Sequence, residues 1–144
     1  MNPGESIAKK KIILCDSNVL FDYFRGVPLM VQELDELGFD RQFLSVISEA
    51  EMYVGMKRSE KRKTVETINK FNMIGLDAEI SRRLLNLTWE HYAKRPGIAD
   101  MIIAATALTY PVELFTFNKK DFDFVEGITF CRPKYKHQYG PESA

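Results

Sequence analysis

The sequence predicts an α/β domain built on a mainly parallel sheet, and three observations carry that expectation. Short apolar runs alternate with segments of helical periodicity along the 144 residues. The first run, Ile12-Ile13-Leu14-Cys15, is continuous rather than alternating, the pattern of a strand buried on both faces. Helix caps and breakers separate the segments: Ser17, Asp77, Gly26, Gly38, Pro96-Gly97 and Pro111. Strands separated by helices give parallel pairing with right-handed crossovers, which places the strands' carboxyl ends on one edge.

The elements follow in order. After the first strand, Ser17 caps a helix carrying Val19, Leu20, Tyr23 and Phe24, ended by Gly26. Met30, Leu34 and Leu37 mark a second helix before Gly38. Gln42 to Ile47 reads as the second strand, and Ser48 opens a third helix. Glu60 to Phe71 is a fourth helix with Val65, Ile68 and Phe71 inward, and Asn72 to Leu76 a third strand. Asp77 caps a long helix whose stripe is Ile80, Leu84, Leu87 and His91. Ile98 to Tyr110 is a further helix, Glu113 to Phe117 a fourth strand and Ile128 to Phe130 a fifth. Residues 1–10 and 132–144 read as tails, the second of them basic, around a domain at 11–131.

Composition narrows the classes of function. An apolar fraction of 45% excludes disorder throughout. No apolar run reaches the roughly 18 residues of a membrane span. The start, Met1 to Lys11, is polar and lacks a signal-peptide pattern. Two cysteines make no disulfide framework and fit free thiols in the cytoplasm. Twenty basic residues balance twenty acids, which at first argues against a nucleic-acid partner.

Ligands of open parallel sheets bind at the strands' carboxyl ends, and the sequence puts acids there. Asp16 follows the first strand directly. It can cap the next helix, but Ser17 and Asn18 compete for that task. Asp100 is the one charge in Ile98-Ala-Asp-Met-Ile-Ile-Ala-Ala-Thr-Ala-Leu, an otherwise apolar helix. The helix dipole offers about 0.3–1 kcal/mol in the first turn, less than the several kcal/mol an unpaired buried carboxylate costs. A metal or a basic partner is therefore expected. Glu51 also fits a capping box with Ser48, and Asp121 also fits turn chemistry after the fourth strand, where Asp123 is its rival. A carboxylate set of this kind selects hard ions such as Mg2+ or Mn2+. No Cys/His cluster points to zinc.

Four blocks together resemble the PIN-domain nucleases, and most closely the VapC-type toxins. They are Ile12-Ile-Leu-Cys-Asp16-Ser17-Asn18, Ser45-Val-Ile-Ser48-Glu-Ala-Glu51-Met-Tyr-Val-Gly55, Gly97-Ile-Ala-Asp100-Met-Ile-Ile-Ala-Ala-Thr-Ala-Leu108 and Leu114-Phe-Thr116-Phe-Asn118-Lys-Lys-Asp121-Phe122. The resemblance selects Glu51 over Glu49 and Asp121 over Asp123. It departs at Phe117, where relatives often carry Arg, and at Ser17, where Thr is commoner. It implies a ribonuclease in which Asp16, Glu51, Asp100 and Asp121 are the catalytic, metal-binding acids, holding one or two Mg2+ or Mn2+ ions. Ser17, Thr116 and Asn118 would orient those acids. It further implies an RNA substrate, a homodimer and a VapB-type antitoxin that covers the site.

Lys119 and Lys120, between Asn118 and Asp121, are the best candidates to meet RNA phosphates. The run Lys57-Arg-Ser-Glu-Lys61-Arg62-Lys63, Arg82-Arg83 and the Arg132/Lys134/Lys136 group are further candidates or plain solvated faces. A phosphatase using Asp16 as nucleophile would need a second Asp where Asn18 stands. A non-catalytic RNA- or antitoxin-binding module is the other alternative, and the intact acid quartet argues against it. Removing the four acids from the balance leaves +4 on the rest of a neutral chain. Overall neutrality then no longer excludes an RNA partner.

Overall fold

The computed structural model describes residues 11–137. Four parallel strands stand in the order β3-β2-β1-β4, with β1 at Ile13–Cys15, β2 at Gln42–Ser45, β3 at Asn72–Ile74 and β4 at Glu113–Phe115. Six α-helices among the described residues connect them: α1 Ser17–Phe24, α2 Pro28–Leu37, α3 Val46–Gly55, α4 Lys61–Ile68, α5 Ala78–Glu90 and α6 Ile98–Thr109.

The sheet separates two cores, as its period-2 geometry dictates. Ile13, Cys15 and Phe115 face one core with Val19, Leu20, Met30 and Met52. Leu14 and Leu114 face the other, with Ile80, Met101, Ile103 and Phe122. Helix α6 has seven buried residues, which accounts for its apolar sequence on every face. Among the described residues no helix is long and apolar enough to cross a membrane.

Three expectations are corrected. The fifth strand is a single bridge between Leu114 and Phe130. Leu114 N–H donates to Thr129 O and Cys131 N–H to Leu114 O. Beyond that β4 has only three residues to pair, and Pro133 lacks an N–H to extend the ladder. Helix α3 begins at Val46, capped by Ser45 through its side chain and the Ile47 N–H. Ser48 is thus inside the helix and makes no capping box with Glu51. Val65 of α4 faces outward at 39% exposure, while Thr64, Thr67 and Ile68 turn inward.

Residues 132–137, expected as the start of a tail, lie against α2. Lys134 N–H (3.0 Å) and Tyr135 N–H (2.9 Å) donate to the Glu33 carboxylate, and His137 Nε2 stands 3.0 Å from Glu33 Oε1. The His137 ring also packs against Phe115 and Phe117. The expected N-terminal tail, 1–10, and the stretch 138–144 lie outside the described residues.

Candidate active site at the sheet switch point

Chain connections leave β1 toward β2 on one side and arrive at β4 on the other, so the switch point of the sheet lies between β1 and β4. Cys15 pairs with Phe115 there, and the next residues on each strand are Asp16 and Thr116. Asp16 N–H continues the ladder to Phe115 O at 2.9 Å. Thr116 Oγ1 donates to Asp16 Oδ2 at 2.8 Å, and Ser17 N–H donates to Asp16 Oδ1 at 2.8 Å. Asn118 N–H in turn donates to Thr116 Oγ1 at 3.0 Å. Asp16, not Ser17, is therefore the N-cap of α1, and it caps while still facing the crevice.

The other acids arrive from separate elements. Glu51 lies on α3, half-buried, within hydrogen-bonding reach of Ser17. Asp100 sits in the first turn of α6. Gly97, the N-cap, makes room for it: a Cβ at Gly97 would stand 3.2 Å from Asp100 Oδ2. Asp121 closes the helical turn Lys119–Asp121 that follows β4.

The fields of these groups overlap. Burial first, then Asp121, Asp16 and Glu51, push Asp100 up to about 6. Burial raises Asp16 too, against the lowering effect of its two hydrogen bonds, and Asp121 adds to the rise. Burial and Asp16 raise Glu51. Acids from four elements thus share one electrostatic neighbourhood, in which Asp16, Glu51 and Asp100 are all raised. The side chains do not form a closed ligand shell: among the described residues no group of three or more His, Cys, Asp or Glu is set to ligate one ion. The donor set itself is all oxygen and anionic, which fits a hard divalent cation and no softer metal.

Two contributors escaped the sequence reading. Gly97 figures in the sequence as a helix breaker and as the start of the Asp100 block, with no role of its own, although a glycine three residues before an acid was the available signal. Asn18 ties the β1 end to the β4 loop by accepting from Phe117 N–H at 3.4 Å. Lys119 is half-buried with its Nζ 5.7 Å from the Phe130 ring, and Lys120 is exposed. Of the aromatic residues on α1, Tyr23 and Phe24 are core and Phe21 is half-buried.

A doubly wound parallel sheet with acids gathered at its switch point defines the class: an α/β protein of open parallel-sheet architecture. Within it, the chain belongs to the PIN-domain family, whose model matches residues 13–127. Ribonuclease VapC10 of Mycobacterium tuberculosis is 31% identical over 120 residues, spanning 81% of this chain and 90% of that protein. A chain of a toxin–antitoxin complex from Klebsiella pneumoniae superposes with a TM-score of 0.68 at 30% identity, covering 81% of this chain and 95% of that one. A chain of DNA-bound VapBC from Salmonella typhimurium reaches a TM-score of 0.74 at 20% identity, covering 84% and 97%, a likeness of fold alone.

Proposed function

We propose that this chain is a Mg2+- or Mn2+-dependent endoribonuclease and the toxin of a type II toxin–antitoxin pair, acting in the cytoplasm and restrained by a VapB-type antitoxin. The observation that carries this reading is that Asp16, Glu51 and Asp100 are each raised by burial and by a neighbouring acid, Asp121 among them, at the switch point of a PIN domain. The relatives named above, a ribonuclease and a toxin–antitoxin complex, support it.

Asp16, Glu51, Asp100 and Asp121 would hold one or two ions. A bound divalent ion supplies a water of lowered pKa and stabilises charge on a phosphodiester. The chain's own groups do the positioning. Ser17 N–H and Thr116 Oγ1 each occupy one lone pair of Asp16, fixing both carboxylate oxygens and leaving a lone pair of each toward the crevice. Asn118 N–H holds the Thr116 hydroxyl so that its proton is directed to Asp16. Ser17 lies within hydrogen-bonding reach of Glu51 and favours its charged form. Lys119 and Lys120 lie between Asn118 and Asp121, where cations offset the acids for an approaching phosphate chain. Leu85, Trp89 and Tyr92, 69%, 84% and 75% exposed at the end of α5, suit the contact of a homodimer. The phosphatase alternative loses further ground, because the Asn18 side chain is used to bind Phe117 N–H.

The test is cleavage of a broad RNA panel by purified, partner-free chain in Mg2+ or Mn2+. Cleavage is expected, falling by about 100-fold or more in Asp100→Asn, the scale of losing one group that stabilises transition-state charge. Equal behaviour of the two proteins, with or without cleavage, contradicts the proposal.

A further inference from the structure

Beside the acids lies a cavity of about 300 Å³ lined by Asn18, Phe21, Asp22, Arg25, Phe117 and Asn118. Its size is at the lower end of small-ligand sites, about 300–1,000 Å³. Its position is fixed by sequence: Asn18 is two residues past Asp16 and Asn118 three before Asp121. Asn18, Phe21, Asp22 and Arg25 follow helical spacing, so they run along one face of α1, away from Asp16.

The lining has the groups that recognise a base: two carboxamides, a carboxylate, an aromatic ring and one guanidinium. Two carboxamides, Asn18 and Asn118, each present donors and an acceptor. Among the described residues, only the Asn18 carbonyl oxygen of these groups is engaged, by Phe117 N–H. Asp22 is 6% exposed, yet its carboxylate accepts no hydrogen bond among the described residues. Its oxygens are not among the buried unpartnered atoms, so they stay open to solvent, and Arg25 and His137 offset its charge; an amino donor that enters the cavity can therefore reach them. Arg25 is exposed, with its guanidinium 5.5 Å from the centre of the Phe21 ring. That ring rests near Gly55 of α3, where a Cβ would stand 3.3 Å from Phe21 Cζ. Aromatic rings and guanidinium planes are the usual platforms for unstacked bases.

We propose that this cavity is a nucleobase subsite, which seats the base next to the phosphate at the acids and favours bases bearing an exocyclic amino group. The base stacks on the Arg25–Phe21 platform. Its amino group donates to Asp22, and the Asn18 and Asn118 amides meet its remaining edge. Uracil has no amino group to offer, so it is disfavoured. The inference rests on the ribonuclease reading above.

The test is equilibrium binding of labelled hexaadenylate, hexacytidylate, hexauridylate and an abasic ribose-phosphate hexamer to the full chain in Ca2+. The chain is expected to bind hexaadenylate or hexacytidylate about tenfold tighter than the abasic hexamer, the order of one base–aromatic stack. Hexauridylate should lie between. Phe21→Leu and Arg25→Ala should each remove most of the preference for a base. Asp22→Asn should remove the discrimination against uridylate. Arg25 is exposed, so its variant tests the proposal even if the others fail to fold. Equal binding of all four oligomers by the unmodified chain overturns the subsite, and a cavity that instead takes a peptide side chain gives that result. An equal loss across all four oligomers in every folded variant overturns it as well. Exchange of Ca2+ for Mg2+ separates the two readings. Cleavage without base-dependent binding defeats the subsite alone, and base-dependent binding without cleavage defeats the ribonuclease alone.

Discussion

Two buried carboxylates in this molecule have opposite surroundings. Glu33, 2% exposed, accepts from two backbone N–H groups and faces His137. Asp16, 6% exposed, accepts from Ser17 N–H and Thr116 Oγ1 and faces the field of Asp121. Burial is the same in kind; the neighbours differ. Glu33 is surrounded by donors and ties the C-terminal segment to α2. Asp16 is held in place by two donors but lies among like charges. A buried acid is structural when the chain supplies its donors, and a candidate for chemistry when the chain supplies more acid.

The largest effect that sharpens this contrast is Glu33→Ala. It strands the Lys134 and Tyr135 amides and His137, and should cost about 2–4 kcal/mol in urea unfolding. RNA cleavage per folded molecule should change little. A loss under about 0.5 kcal/mol would make Glu33 an ordinary surface-type acid. Next is Gly97→Ala. The new Cβ would crowd Asp100 Oδ2 at 3.2 Å, so cleavage should fall about tenfold, equivalent to roughly 1.4 kcal/mol. Stability should hold or rise slightly, since the N-cap φ of −66° suits alanine. Unchanged cleavage would mean that Asp100 needs no such clearance. The smallest is Ser45→Ala, which removes the α3 cap and should cost about 1 kcal/mol of stability. Ser48→Ala should cost less, because the Ser48 hydroxyl is buried without a hydrogen-bond partner.

The same contrast explains what was legible in the sequence. Asp16 and Asp100 stood out because their surroundings in the chain are apolar: one ends a buried strand and the other interrupts a buried helix. Only the family resemblance separates Glu51 and Asp121 from Glu49 and Asp123, since local chemistry offers each a cap or a turn. The start of α3 was misread because Ser45 and Ser48 are both competent caps. Which one acts is decided by β2, whose pairing of Ser45 with Ile74 keeps Ser45 at the strand end. The Glu33 clasp was not legible at all. Its partners lie about a hundred residues away, and nothing in Gln32-Glu33-Leu34-Asp35-Glu36 marks Glu33 among its acidic neighbours.

If the four acids act as one electrostatic unit that a cation neutralises, as proposed above, thermal melting reads it most directly. In the folded chain Asp100 sits at about 6, above its ordinary 3.8. The folded state therefore binds this proton more tightly than the unfolded one, and ionisation lowers stability. That penalty is absent below about pH 4, grows as pH rises and is complete above about pH 6. Asp100 is only half-buried, so solvent screening reduces the penalty to the order of 1 kcal/mol. In chelator at pH 7.5, Asp100→Asn should melt about 3 °C above the unsubstituted chain. The difference should vanish near pH 4. Mn2+ should raise the melting temperature of the unsubstituted chain more than that of the variant. A variant that melts lower in chelator, or a difference that ignores both pH and Mn2+, would show that Asp100 is a structural residue and that the acids do not act as one site.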